Sequence, residues 1–216
     1  MPAFPENGMS RTIDYLFTLM SPWAYLGFDL FHEIAANHGA AIRYRPVQLL
    51  NVFNETGGLP LARRHPARQA YRLVELQRWR AIRGLPLVLK PANVPFDATL
   101  ADGISLAIIA RGFSPEPYLR AAHRAIWAEQ QNLGDENTLI RILAEIRLPA
   151  DLLDIARSAP IRAEYEANRD WALASNVFGA PSYVLDGEIF WGQDRLDLLD
   201  AALASKRLRY RADGDA

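Results

Sequence analysis

Strand-forming patterns occur only near the two ends of this 216-residue chain, and the long stretch between them reads as helix, an arrangement few folds accept. Residues 12–18 alternate Ile13, Tyr15 and Phe17 on one face, while Leu16 makes the other face apolar too, as in a strand covered on both sides. Ser21 and Pro22 then open a helix. Serine is a favoured N-cap and proline suits the first helical position; Trp23, Leu26, Leu30, Ile34 and Ala35 recur at helical spacing as far as Gly39. Residues 41–47 make a second strand, with Ile42 and Tyr44 on one side and Arg43 and Arg45 on the other.

From 66 to 174 no convincing strand occurs. Helical patterns at 66–83, 97–110, 115–129, 136–146, 150–157 and 161–175 are separated by glycine and proline signals. Strand character returns at 182–185 and 188–191 around Asp186-Gly187, a strong hairpin turn, and an amphipathic helix at 195–203 carries Leu196, Leu199 and Leu203 on one face. The order β-α-β, helices, β-β-α is an α/β thioredoxin-like fold interrupted by a large all-helical insertion at about 66–174.

Composition narrows the chemistry. The chain has no cysteine, which excludes disulfides, thiolate metal sites and thiol exchange by its own residues. Net charge is −1, and the densest basic run, Arg63, Arg64, His65 and Arg68, is followed by Glu75, so no nucleic-acid partner is expected. No apolar run reaches the roughly 18 residues a membrane crossing needs. Residues 1–10, with Pro2, Pro5, Glu6 and Asn7, lack a signal-peptide pattern and are expected to be a flexible lead into a domain spanning 11–216, in a cytoplasmic protein without membrane partners.

Three places can carry chemistry. Ser21 sits where free N–H groups and the positive end of a helix dipole favour an anion, although its residue type also suits a plain N-cap. Ala180-Pro181 opens the hairpin; the proline is compatible with a cis bond facing the first helix, and equally with an ordinary strand opening. In Trp191-Gly192-Gln193-Asp194-Arg195, Gln193 and Asp194 are expected as caps of the last helix, or the carboxylate as partner for a ligand ammonium. Gly103-Ile104-Ser105-Leu106-Ala107 grazes a nucleophile-elbow pattern inside a helical stretch and reads as core. His32, His38, His65 and His123 have no metal-ligand spacing and are expected at the surface or in caps; no metal site and no nucleotide fingerprint is expected.

Taken together, Ser21-Pro22-Trp23, Phe178-Gly179-Ala180-Pro181-Ser182 and Trp191-Gly192-Gln193-Asp194-Arg195 resemble the 2-hydroxychromene-2-carboxylate isomerases, relatives of the kappa-class glutathione transferases and of the DsbA oxidoreductases. The resemblance runs from Thr12 to Leu203. It implies a DsbA-like domain with glutathione as cofactor, a catalytic Ser21, and glutathione contacts from Ser21, Ala180, Pro181, Trp191, Gly192, Gln193 and Asp194. It places the substrate side near Phe53, Arg63, Arg64 and Val94, of which Arg64 keeps the basic character of its position while Phe53 and Val94 replace polar residues. Ala24 stands where the disulfide oxidoreductases have cysteine.

The implied activity interconverts a cyclic hemiketal of the hydroxychromene-carboxylate kind and an open-chain aromatic 2-oxo acid, by reversible addition of a thiolate. A homodimer is implied as well. The alternatives are a kappa-class-like glutathione transferase acting on another electrophile, and a non-catalytic thioredoxin-fold module holding a peptide beside Pro181. Because the chain has no thiol, the purified protein should neither reduce insulin nor oxidise a dithiol peptide. A turbidity assay and a dithiol-peptide oxidation assay check this, and activity in contaminant-free protein would contradict it.

Overall fold

The computed structural model describes residues 11–205 and 207–212; the expected flexible lead at 1–10 lies outside the described residues. Strand β1 (Thr12–Phe17) leads into helix α1 (Pro22–Asn37) and strand β2 (Ala41–Pro46). Helices α2 (Leu49–Thr56), α3 (Pro66–Arg83), α4 (Thr99–Ala110), α5 (Glu116–Trp127), α6 (Glu136–Glu145), α7 (Leu152–Ala156) and α8 (Ala159–Ala174) follow. The chain closes with β3 (Ser182–Leu185), β4 (Glu188–Trp191) and α9 (Leu196–Ala204). This is the thioredoxin-like order read from the sequence. One element was not foreseen: α2, whose Asn51, Asn54 and Thr56 are weak helix formers, so that helix begins before residue 66.

The sheet order is β2-β1-β3-β4, with β1 parallel to β2 and antiparallel to β3. The pleat of β1 sorts its side chains between two cores, as its sequence alternation requires. Ile13, Tyr15 and Phe17 join α1, α5, α9, Tyr183 and Phe190 in the larger one, while Leu16 joins Val47, Val52, Ala172, Val177 and Val184 in the smaller. In the larger core Tyr15 lies parallel to Tyr183 at 5.4 Å between ring centroids, and Phe31 of α1 closes on them at 4.7 and 4.6 Å.

The second face also carries an ionic tie. Arg45 donates from Nε to Asp14 Oδ1 (2.7 Å) and from Nη1 to Asn168 Oδ1 (3.2 Å), with its guanidinium 4.0 Å from the centre of the Trp171 ring. Asn168 in turn donates to the Pro46 carbonyl (3.2 Å), so α8 is pinned to the end of β2.

Two histidines correct the expectation of surface or cap positions. His32 and His123 are buried. Nδ1 of His32 lies 2.7 Å from the Phe28 carbonyl, which can only accept, so this nitrogen carries the proton and Nε2 accepts from the Tyr44 hydroxyl at 2.9 Å. His123 lies against Phe28 and Tyr25, and burial pushes its pKa down to about 3, so it stays neutral. His65 does cap α3, accepting from the Ala67 N–H, and His38 ends α1. Ser105 lies in the buried part of α4, as the core reading expected.

Gly27, in mid-α1, marks the closest approach in this core: a Cβ there would come within 2.6 Å of Gln193 Cβ and 2.9 Å of the Tyr183 hydroxyl. Gly27→Ala gains about 1 kcal/mol of helix propensity and loses about 1–3 kcal/mol to overpacking. The expected outcome in urea denaturation is a net loss of stability, and a more stable variant would show that α1 can shift.

Candidate active site

At the end of β1 the chain turns through Thr18–Ser21 into α1, a turn closed by Ser21 N–H donating to the Thr18 carbonyl at 3.0 Å. Ser21 has the extended backbone of an N-cap (φ −95°, ψ 115°), and its Oγ accepts from Ala24 N–H at 3.3 Å, so the capping role is real. The same hydroxyl also donates to the Ala180 carbonyl at 3.4 Å, across 159 residues of sequence. The capping role therefore does not exclude a functional one.

The Ala180–Pro181 bond is cis, and Ala180 and Pro181 are buried against the α1 terminus. Beside them Trp191 and Phe178 meet edge to face at 4.8 Å, yet remain 52 % and 42 % exposed, an apolar wall next to Ser21's partner. Gly179 is required there, because a Cβ would lie within 2.9 Å of Trp191 Cε2. Gly192, at φ 100°, donates its N–H to the Pro181 carbonyl at 2.9 Å and turns the chain back towards α9.

Gln193 and Asp194 do not cap α9: the side chain of neither makes a cap hydrogen bond. Gln193 is buried and locked by Arg83 of α3, which donates from Nε (3.1 Å) and Nη2 (2.9 Å) to Oε1 and from Nη2 to the Gln193 carbonyl (3.1 Å). Asp194 points outward, 40 % exposed, with Arg195 Nη1 3.0 Å away. The helical insertion thus reaches the site through Arg83. Nothing in the sequence marks that arginine, one of several spaced along α3.

The residues expected on the substrate side all lie in the helical stretch between β2 and β3. Phe53 is half-buried on α2, its ring packed over Gly58, and Val94 packs on the larger core. Arg63 is exposed, whereas Arg64 is half-buried and donates from Nε to the Leu59 carbonyl at 2.8 Å. Among the described residues no hydrogen bond or ring contact joins these four to Ser21. Arg72 of α3 was not foreseen; burial, then the charge of Arg64, lower its pKa, while burial and Arg68 lower that of Arg64. Neither arginine has an acidic partner among the described residues. Two crowded, half-buried guanidiniums suit an anion.

The fold and the serine-bearing helix terminus beside a cis-proline define a thioredoxin-fold protein without redox cysteines. Comparison with known proteins agrees, the DSBA-like thioredoxin domain family matching residues 12–204. A 2-hydroxychromene-2-carboxylate isomerase of Sphingobium xenophagum is 32 % identical over 198 residues, covering 90 % of this chain and 99 % of its own. Glutathione S-transferase kappa 1 of Caenorhabditis elegans is 23 % identical over 212 residues, 92 % and 91 % of the two chains. A solved 2-hydroxychromene-2-carboxylate isomerase superposes with a TM-score of 0.76 at 26 % identity, covering 89 % of this chain and 94 % of that one. The chain belongs to the DSBA-like thioredoxin family, and within it to the family of the 2-hydroxychromene-2-carboxylate isomerases.

Arg83→Ala leaves two buried Gln193 oxygens without their donor. A loss of about 1.5–3 kcal/mol in urea denaturation is expected, the usual range for hydrogen bonds to a charged group. An unchanged midpoint would mean that water or a neighbour replaces the guanidinium.

Proposed function

We propose that this protein is a glutathione-dependent isomerase of the 2-hydroxychromene-2-carboxylate isomerase type, acting on an aromatic 2-oxo acid and its cyclic hemiketal. The observation that carries the reading is the Ser21 hydroxyl, held between the α1 terminus and the Ala180 carbonyl in a chain without cysteine. The resemblance to named isomerases over nine-tenths of the chain supports it.

The residues present fit glutathione. The Ala180 N–H and the Trp23 N–H, second in α1, donate to no group among the described residues, so both are available to an extended peptide and its sulfur. Trp191 and Phe178 offer an exposed aromatic wall, and the outward carboxylate of Asp194 can meet an ammonium group. When bound, glutathione supplies a thiolate that adds reversibly to the substrate's conjugated double bond, allowing rotation before elimination.

Ser21 donates a hydrogen bond to the sulfur; its 3.4 Å bond to the Ala180 carbonyl is long and easily exchanged. Arg64, with Arg63, holds the substrate carboxylate, and Arg72 adds a second half-buried positive charge. The reading includes a cytoplasmic homodimer; no described helix is long and apolar enough to cross a membrane. The kappa-class relative favours one second reading, transfer of glutathione to an electrophile.

Moving a thiol from a pKa of about 8.5 to about 6.5 needs about 2.7 kcal/mol. A helix terminus contributes about 0.3–1 kcal/mol, up to about 2, and so falls short alone; a hydrogen bond to the charged sulfur, about 1.5–3, closes the gap. Ser21→Ala should therefore raise the bound thiol's pKa by about 1–2 units and lower turnover at neutral pH, with recovery as pH rises. Thiolate absorbance against pH, with calorimetric titration of glutathione, checks this. Free glutathione after turnover supports the isomerase, and a conjugate supports the transferase. Absence of glutathione binding overturns both.

A further inference from the structure

The turn that carries Ser21 is held from below by a carboxylate. Asp102, in the first turn of α4, is fully buried. Its Oδ1 accepts from the Leu19 N–H (2.8 Å), and its Oδ2 from the Thr18 hydroxyl (2.8 Å) and the Tyr165 hydroxyl (3.1 Å). Thr18 and Leu19 are the first two residues after β1, and these contacts orient the rest of the turn.

The Thr18 hydroxyl accepts from the Met20 N–H at 3.3 Å, so its own proton points to Asp102. The Thr18 carbonyl receives the Ser21 N–H, and the Leu19 carbonyl receives Trp127 Nε1 of α5 at 2.9 Å. One carboxylate thus sets the donors of a four-residue turn whose last member is the proposed catalytic serine.

We propose that Asp102 is a positioning residue for Ser21, acting through Thr18 and Leu19 without touching a ligand. The inference rests on the isomerase reading and adds to it a proton-dependent control of the site. A carboxylate in a fully buried place with no cationic partner among the described residues is costly. A neutral asparagine would accept the Leu19 N–H at less cost, but it could not accept from Leu19, Thr18 and Tyr165 with two acceptor oxygens.

Only the ionised form takes all three bonds as they stand. A proton on Asp102 must itself be donated, and the available acceptors are the Thr18 and Tyr165 hydroxyls, so one of those bonds reverses and the turn loses a constraint.

The groups facing Asp102 leave this change near neutrality. Burial raises its pKa to about 7 against the opposing pull of the Leu19, Thr18 and Tyr165 bonds, and the charge of Asp97, before α4, raises it further. Tyr165 of α8, Tyr118 of α5 and Tyr15 of β1 are the other ionisable groups turned towards it, and burial raises all three, so they stay neutral. The other elements packed on α4, β2 and α7, bring no ionisable side chain into hydrogen-bond or ion-pair contact with it. Activity should therefore fall on the acid side as Asp102 takes up its proton, in addition to any loss from protonation of the thiolate.

The test is the pH dependence of kcat at saturating glutathione in wild type, Tyr165→Phe and Asp102→Asn. Tyr165→Phe removes one donor to the ionised form and keeps the Thr18 and Leu19 bonds, so the acid limb should move up by about 0.5–1 pH unit. Asp102→Asn should lose one ionisation from that limb and lower kcat at pH 8 about tenfold, while glutathione still binds. If Asp102→Asn does not fold, Tyr165→Phe decides alone. Unmoved acid limbs in variants that still bind glutathione and turn over would overturn the role of Asp102 and leave the isomerase reading intact. A wild type that binds no glutathione would instead overturn that reading.

Discussion

Strand β1 is hydrogen-bonded along both edges and covered on both faces, so the point where its chain leaves the sheet has no freedom. Everything at the candidate site hangs from that point. Ser21 lies four residues beyond Phe17, and the partner of its hydroxyl, Ala180, leads through Pro181 into β3, which pairs with the same strand. Two segments 159 residues apart are thereby brought within hydrogen-bonding distance by one central strand rather than by any affinity of their own.

The helices between β2 and β3 do more than fill a gap in the sequence. They enclose the sheet and supply the groups that hold the site's two loops: Arg83 clamps Gln193 from α3, and Asp102 and Trp127 fix the Ser21 turn from α4 and α5. The hydrogen bonds to these buried groups offset the cost of burying them and make each a strut, although the Gln193 amide nitrogen has no partner among the described residues. A hydroxyl that orients a sulfur needs such support, because its contribution depends on distances held to tenths of an ångström.

Loss of the thiols separates this chain chemically from the disulfide oxidoreductases whose fold it shares. The helix N-terminus and the cis-proline loop remain, and on the proposed reading they act on a thiol brought from outside. Serine in that place can hydrogen-bond a thiolate but cannot exchange with it, which suits chemistry that leaves glutathione unchanged.

Much of this was legible in local pattern. Alternation in β1, the Ser21-Pro22 start of α1, the Asp186-Gly187 hairpin and the helical periodicities depend on neighbours a few residues apart, and the structure places those elements within a few residues of their expected bounds. Helix α2 was missed because weak helix formers hide it until it packs its buried Val52 on α8. The burial of His32 and His123, the Arg83 clamp on Gln193, the Arg64–Arg72 pair and the carboxylate beneath the Ser21 turn had no local signal. Each is a contact between residues distant in sequence, or an environment made by several elements at once. The order of elements and the residue type at the helix terminus followed from the sequence, since backbone propensity and side-chain period act locally. Which polar groups were buried, and against which partners, was decided only when the helices closed over the sheet, because desolvation belongs to the packed whole and to no residue alone.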